Sequence, residues 1–286
     1  MLPNFLIIGA QKSGTTTLHR ILGRHCDVFT TPVKEIYYFV DANYYKGINW
    51  YEKQFSNWNG EAAIGESSPD YMISERAAQR IKKSLTDVKL LMIVRNPVER
   101  VYSAYWNNRL NLVAPYTRFE AAIQRDPLHL ERGFYYRHIQ RFLKVFEKED
   151  LLVLLYDDLK DYPTSLFKKC FSFLGVDDSY EDLEFDQVFN RGRAHGGKLY
   201  QFALQNSHLL RYLPKGTGLR RILKLGKPVS FEYPAMDQGI KQRLISLYED
   251  SNLRLSEFLG RDISHWNANH IYPQILDSPE SEALIF

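Results

Sequence analysis

Cysteine is nearly absent from this chain: Cys26 and Cys170 are the only two in 286 residues. That is too few for a disulfide framework, and Cys170 falls at a core-like position of a predicted helix, so a reducing compartment suits the chain. Long apolar runs are also lacking. None reaches the ~18 residues of a membrane span, and the short N-terminal run has no basic flank of the kind a leader peptide carries. The expectation is a soluble, unprocessed, cytoplasmic protein. Charge of one sign is missing too, since 37 Lys and Arg against 34 Asp and Glu leave only +3. Such a balance does not call for nucleic acid or a membrane as partner, although local basic clusters can still attract an anionic ligand. The eight histidines show no metal-ligand spacing, so no metal site is predicted. Repeats and low-complexity tracts are absent, and function must come from sites. The 44% apolar fraction supports a sizeable core. A single α/β domain over residues 1–286 is expected, with a core to about residue 266 and a tail over 267–286.

The most informative stretch is the first. An apolar run from Phe5 to Ile8 meets the turn Gly9-Ala10-Gln11-Lys12-Ser13-Gly14-Thr15-Thr16-Thr17, after which Leu18, Ile21 and Leu22 follow at helical spacing. Strand, glycine-rich loop and helix in that order place unsatisfied helix amides and the positive end of the helix dipole beside the loop, which suits an oxyanion. An ordinary strand-to-helix turn needs neither the lysine nor the four hydroxyls. The two glycines have the spacing of the nucleotide-hydrolase phosphate loop, but Thr15 stands where that motif requires lysine. The cation has moved into the loop, to Lys12. A shorter anhydride held without the usual magnesium geometry fits such a loop better than a triphosphate does.

Further along, Thr30 to Phe39 reads as loop followed by strand or irregular structure, and the aromatics Tyr37 to Trp58 either fill the core or wall an acceptor pocket. Ala62–Gly65 is a short buried strand with a loop from Glu66 to Tyr71, and Ser74–Leu85 is a helix with Ser74 as N-cap. Leu90–Val94 is too continuously apolar for a half-exposed strand. Asn96 can then cap a helix that begins at Pro97, which sets Arg95 at a strand tip beside a helix N-terminus, with Ser103 about two turns on. An arginine and a hydroxyl there suit a second phosphate. Arg132–Phe146 is predicted as a helix with a stripe of Tyr136, Ile139, Leu143 and Phe146, and Leu151–Tyr156 as a third buried strand. Asp157 and Asp158 follow that strand; with the loop lysine displaced, they read as surface acids rather than magnesium ligands. A helix from Pro163 buries Leu166, Phe167, Cys170, Phe173 and Leu174 and stops at Gly175, and another over Ile240–Leu259 buries Leu244, Leu247, Tyr248, Leu255 and Phe258 against the sheet. Between them lie a basic, glycine-rich loop, Asn190–Lys198, and a basic stretch, Leu209–Lys227, which is either a surface helix or a cover for an anionic or lipid-like acceptor. Alternating strands and helices point to a central parallel sheet covered on both faces.

Gly9–Thr16 together with Val94-Arg95-Asn96-Pro97 and Ser103 resembles the sulfotransferases that use 3′-phosphoadenosine 5′-phosphosulfate, above all the heparan-sulfate type and its bacterial relatives. The likeness extends through Lys34-Glu35, Gly65–Tyr71, Phe173-Leu174-Gly175 and Leu259–Asp262 with Trp266. It implies a P-loop-kinase-like α/β fold and sulfuryl transfer to a hydroxyl or amine of a glycan, lipid or small molecule, without an obligate metal. It further implies that Gln11, Lys12, Ser13, Gly14, Thr15, Thr16 and Thr17 bind the 5′-phosphosulfate, with Lys12 stabilising the leaving group. Arg95 and Ser103 would hold the 3′-phosphate, Arg191-Gly192-Arg193 would match the family's basic donor loop, and Glu35 would be the base. Ile36-Tyr37 and Ser67 depart from the proline, histidine and lysine often found in the heparan-sulfate type, which bears on the acceptor and not on the donor. Two other functions fit parts of the pattern: a magnesium-dependent phosphate-loop kinase or hydrolase using Asp157, and a non-catalytic nucleotide-binding protein.

Overall fold

The computed structural model describes residues 1–113, 116–182, 185, 193–195 and 228–268, with the backbone alone for 193–195 and 228–230. Five strands, β1 (Phe5–Gly9), β2 (Val28–Thr30), β3 (Ala63–Ser67), β4 (Lys89–Val94) and β5 (Leu151–Leu155), form one parallel sheet in the order β2-β3-β1-β4-β5. Their near-continuous apolar sequences are explained by what covers each face. Leu6, Ile8, Leu90, Met92 and Val94 point into one core with Tyr135, Ile139, Phe142 and Trp266. The alternate residues Phe5, Ile7, Leu91 and Ile93 point into the other, with Leu18, Ile21, Leu166, Phe167 and Cys170. At Gly65 the neighbouring strand comes so close that a Cβ would lie 2.3 Å from the Phe5 ring.

The helices are α1 (Thr15–Leu22), α2 (Asp41–Tyr44), α3 (Ile48–Glu52), α4 (Ala77–Ser84), α5 (Pro97–Leu110) and α6 (Phe119–Arg125). They continue with α7 (Leu128–Glu131), α8 (Tyr135–Leu143), α9 (Tyr156–Asp161), α10 (Pro163–Leu174) and α11 (Gln238–Leu259). A two-stranded antiparallel pair, β6 (Arg193–His195) with β7 (Pro228–Ser230), stands apart from the main sheet. Because β1, β4 and β5 run parallel and each passes directly into a helix, the starts of α1, α5 and α9 gather at one edge of the sheet, where ligands of open α/β sheets bind. Among the described residues no helix is long and apolar enough to cross a membrane.

Several expectations are corrected. β2 was not foreseen as a strand; three residues at a sheet edge leave little periodicity to read. β3 does not stop at Gly65 but carries Glu66 and Ser67 with it. α4 begins at Ala77 rather than near Ser74, whose N–H instead closes the preceding turn onto Asp70 and Tyr71 carbonyls. In α8 the buried residues are Tyr135, His138, Ile139 and Phe142; of the stripe expected, Ile139 and, just beyond the helix, Phe146 are buried, while Tyr136 and Leu143 are only partly covered. α10 buries Phe171 fully, while Phe173 and Leu174 are only partly covered. In α11, Ile245 and Asn252 are buried whereas Leu247 is 44% exposed, and the helix packs mainly on α8 and on the turn Ser264–Asn267, and less on α5. Its C-terminal end reaches the sheet-facing core through Leu255, with Phe258 and Leu259 packed against that core beside α4 and α8. Of the aromatics after residue 36, Tyr38, Phe39, Tyr51 and Phe55 belong to the core and Tyr45 lies on the surface, so few are left to wall a pocket. Cys26 is exposed, Cys170 buried, and both thiols are free. The predicted basic stretch 209–227 and tail 269–286 lie outside the described residues.

Candidate active site

The β1–α1 loop closes tightly. Ala10 N–H donates to the Ile93 carbonyl at 2.7 Å, and Lys12 (φ 68) and Gly14 (φ 100) both adopt left-handed backbone. Glycine is needed at position 14 for a second reason, since a Cβ there would lie 2.8 Å from Leu159 Cδ2. Gly14 caps α1, whose first turn contains no acid. The amides of Thr15, Thr16 and Thr17 therefore face the site with the positive end of the helix dipole uncompensated. Gln11 and Thr16 are half-buried, whereas Ser13, Thr15 and Thr17 are buried.

Cations converge on this end of α1. Lys12 Nζ donates to Asn107 Oδ1 of α5 at 3.0 Å, and Lys34 Nζ donates to Thr15 Oγ1 at 3.1 Å while lying 3.6 Å from Glu35 Oε1. Burial, then the nearby Arg95 charge, pulls Lys12 down to about 8 from the ordinary lysine value, with Glu35 opposing and Lys34 adding. Lys34 is also lowered, chiefly by burial. Two ammonium groups and a guanidinium thus repel one another here, with the Glu35 carboxylate opposing, and an anion beside Lys12, which hydrogen-bonds to an amide oxygen, would ease that repulsion further.

That carboxylate, Glu35, sits on left-handed backbone (φ 67), and its N–H donates to the Ser67 carbonyl at 2.9 Å. Its Oε2 accepts from the Tyr37 hydroxyl at 2.8 Å, and the side chain is 46% exposed, so it is oriented yet reachable. Burial, with Glu35 and Asp70 beside it, pushes the Tyr37 phenol far above its usual range, so it stays a donor. Tyr37 N–H donates to Ser68 Oγ at 2.9 Å, and Ser68 in turn donates to Glu66 Oε2 at 2.7 Å.

Arg95 lies at the tip of β4 as expected, and its guanidinium donates to Glu99 Oε2 at 2.8 Å and stands 4.8 Å from the Tyr156 ring. Asn96 does cap α5, accepting from Val98 and Glu99 N–H groups, and Ser103 is buried on that helix. Asn107, the partner of Lys12, was not singled out from the sequence. The signal for it was available: it lies one helical turn beyond Ser103, at i+4 on the same helix face. Asp157 accepts from Trp266 Nε1 at 2.8 Å and from His265 Nε2 at 2.9 Å, and Asp158 pairs with Arg261, so both acids tie residues 261–266 to the end of β5. Arg191 and Gly192 lie outside the described residues, and Arg193 is described by its backbone alone. His25, Cys26 and Asp27 bring potential metal-ligand atoms within 4.8 Å of one another. Both ring nitrogens of His25 are engaged, however: Nδ1 accepts from Asp27 N–H and Nε2 donates to the Asp177 carbonyl.

A parallel sheet with an oxyanion loop after its central strand, and a carboxylate poised beside cations, defines a group-transfer enzyme of the P-loop-kinase-like α/β class. The sulfotransferase domain matches residues 2–193, and the chain belongs to that family. Among curated proteins it is similar to the bifunctional heparan sulfate N-deacetylase/N-sulfotransferase 1 of Xenopus tropicalis, 30% identical over 292 residues that cover 92% of this chain and 31% of that protein. The human counterpart is 31% identical over 293 residues, covering 92% of this chain and 30% of its own length. The chain thus spans under a third of these relatives. Among solved structures, a sulfotransferase from Alicyclobacillus acidocaldarius superposes with a TM-score of 0.71 at 24% identity, covering 94% of this chain and all of its own, so the two share a fold.

Proposed function

We propose that this chain forms a single sulfotransferase domain that passes the sulfuryl group of 3′-phosphoadenosine 5′-phosphosulfate to an amine or hydroxyl of a carbohydrate. The observation that carries this reading is the gathering of Lys12, Lys34 and Arg95 at the acid-free N-terminus of α1, beside the half-exposed Glu35. The donor suits those residues. Gly14 keeps the loop free of a side chain, the first amides of α1 are oriented for an oxyanion, and the mutual repulsion of Lys12 with Arg95 and Lys34 matches a site for a ligand with several negative charges. When bound, the donor supplies a sulfuryl group on a nucleotide leaving group. Gln11, Ser13, Gly14 and Thr15 to Thr17 would hold its 5′ side, and Arg95 and Ser103 its 3′-phosphate, with Arg191, Gly192 and Arg193 as further contacts. Lys12 Nζ would neutralise charge developing at the leaving oxygen, an interaction stronger in the transition state than before it. Glu35 would take the acceptor's proton at Oε1, because Tyr37 holds Oε2. The relatives' names, heparan sulfate N-sulfotransferases, favour a glycan amine as acceptor over a lipid or a small phenol.

Calorimetry tests the donor site. Adenosine 3′,5′-bisphosphate should bind tightly and equally with magnesium or chelator, and more tightly than ATP. A clear preference for magnesium-ATP would replace this reading with that of a nucleotide kinase or hydrolase.

A further inference from the structure

Glu66 is an acid that the proposed chemistry leaves unused, and it is fully enclosed. It occupies the fourth position of β3, so the parallel sheet delivers its carboxylate to the floor of the site. Hydroxyls surround it: Ser68 Oγ donates to Oε2 at 2.7 Å and the Tyr51 hydroxyl donates to Oε1 at 3.2 Å. The groups facing it are Tyr51 from α3, Ser68 and Tyr71 from the turn after β3, and Lys34 from the segment leading to the base. Since the Ser68 proton is directed to Glu66, a lone pair of Ser68 remains for Tyr37 N–H at 2.9 Å. Two backbone contacts hold the base segment against the end of β3: Glu35 N–H to the Ser67 carbonyl, and this one from Tyr37. Both Glu35 (φ 67) and Tyr37 (φ 53) adopt a backbone conformation that residues other than glycine hold only when their surroundings impose it.

We propose that Glu66 is a positioning residue: through Ser68 it fixes the Tyr37 backbone, keeps Glu35 and Tyr37 in their left-handed conformations, and so aims the carboxylate of Glu35. The effect on turnover rests on the sulfuryl-transfer reading; the placement of residues 35–37 does not. An ionised Glu66 can only accept, which dictates the direction of the Ser68 hydroxyl. Protonation removes that constraint. Burial pushes the Glu66 carboxyl up to about 7, against the hydroxyls and Lys34, so the constraint weakens as pH falls through that value.

The experiment compares Ser68→Ala, Glu66→Gln and Tyr51→Phe with the unmodified chain. Amide hydrogen exchange without any ligand, read on peptides covering 31–40, should be faster in Ser68→Ala and unchanged in Tyr51→Phe, although each removes one hydroxyl from Glu66. In Ser68→Ala, kcat should fall by about tenfold or more, the scale of a misaimed group, with adenosine 3′,5′-bisphosphate affinity within about twofold of the unmodified chain. Glu66→Gln keeps an acceptor oxygen but cannot ionise, so it should flatten the inflection of kcat near pH 7 and retain the rest of the profile. Unchanged exchange in Ser68→Ala, equal damage in Tyr51→Phe, or an intact inflection in Glu66→Gln would overturn the proposal. If the unmodified chain neither binds the bisphosphate nor transfers sulfate, the transfer reading falls alone, and the exchange measurement still decides the role of Glu66.

Discussion

Lys12 is a residue whose chemistry is set by neighbours far away in the chain. With its value held at about 8 in the folded protein and near 10.5 when unfolded, the folded state binds fewer protons between those limits, so stability rises with pH across that window. An anion in the site has the opposite preference and favours the protonated ammonium. Binding of adenosine 3′,5′-bisphosphate near pH 8 should therefore take up protons, and affinity should weaken as pH rises past that value, by roughly tenfold for each unit by which binding raises the Lys12 value. Calorimetry in buffers of different ionisation heat measures this uptake directly. Equal uptake in Lys12→Ala would assign the proton elsewhere. The displaced lysine was legible in the sequence because the glycine spacing of the loop made its absence from position 15 visible. Its depressed pKa was not, since that depends first on burial in the folded site and then on Arg95 and Lys34 arriving from separate stretches.

At the scale of elements, strands buried on both faces were the most legible: β1, β4 and β5 are apolar runs with few interpretations. Helix starts were legible where a cap residue had a mechanism, as with Asn96 and Pro97 of α5, and less so where only periodicity was available, as with α8. Asn96 does two jobs, since its Oδ1 accepts from Val98 and Glu99 N–H groups while its Nδ2 donates to the Trp266 carbonyl at 3.2 Å. Asn96→Ala should cost about 1–2 kcal/mol, the upper part of the range for an N-cap. Urea denaturation measures that loss, and thermal denaturation should show Tm lowered by about 2–4 °C per kcal/mol. A loss under about 0.3 kcal/mol would mean that Pro97 and packing hold the start of α5 without the cap.

For the whole molecule, the site is assembled from the β1–α1 loop, the segment at Lys34–Tyr37, the end of β3 and the span from Arg95 to Asn107, brought together by the strand order β2-β3-β1-β4-β5. Likeness to a family made most of these segments recognisable in the sequence. The contacts between them were not readable there: Lys12 with Asn107, Lys34 with Thr15, and Glu66 with the base segment all join residues too far apart for any local pattern. Position in the sheet decides them. Glu66, assigned from sequence to a loop, becomes a buried strand residue because β3 continues along β1, with Glu66 opposite Leu6 and Ser67 opposite Ile7.

The central claim is that this assembly transfers a sulfuryl group with Glu35 as base. The most direct measurement incubates the chain with 3′-phosphoadenosine 5′-phosphosulfate and a glycan bearing free amines, and follows the acceptor by mass spectrometry alongside release of the bisphosphate. Sulfated glycan and bisphosphate should appear in equal amounts, and Glu35→Gln should lower the rate by about 10²–10⁴ with donor binding preserved, the range for losing a positioned base. Transfer at a near-normal rate by Glu35→Gln, or no consumption of donor by the unmodified chain across amine and hydroxyl acceptors, would contradict it.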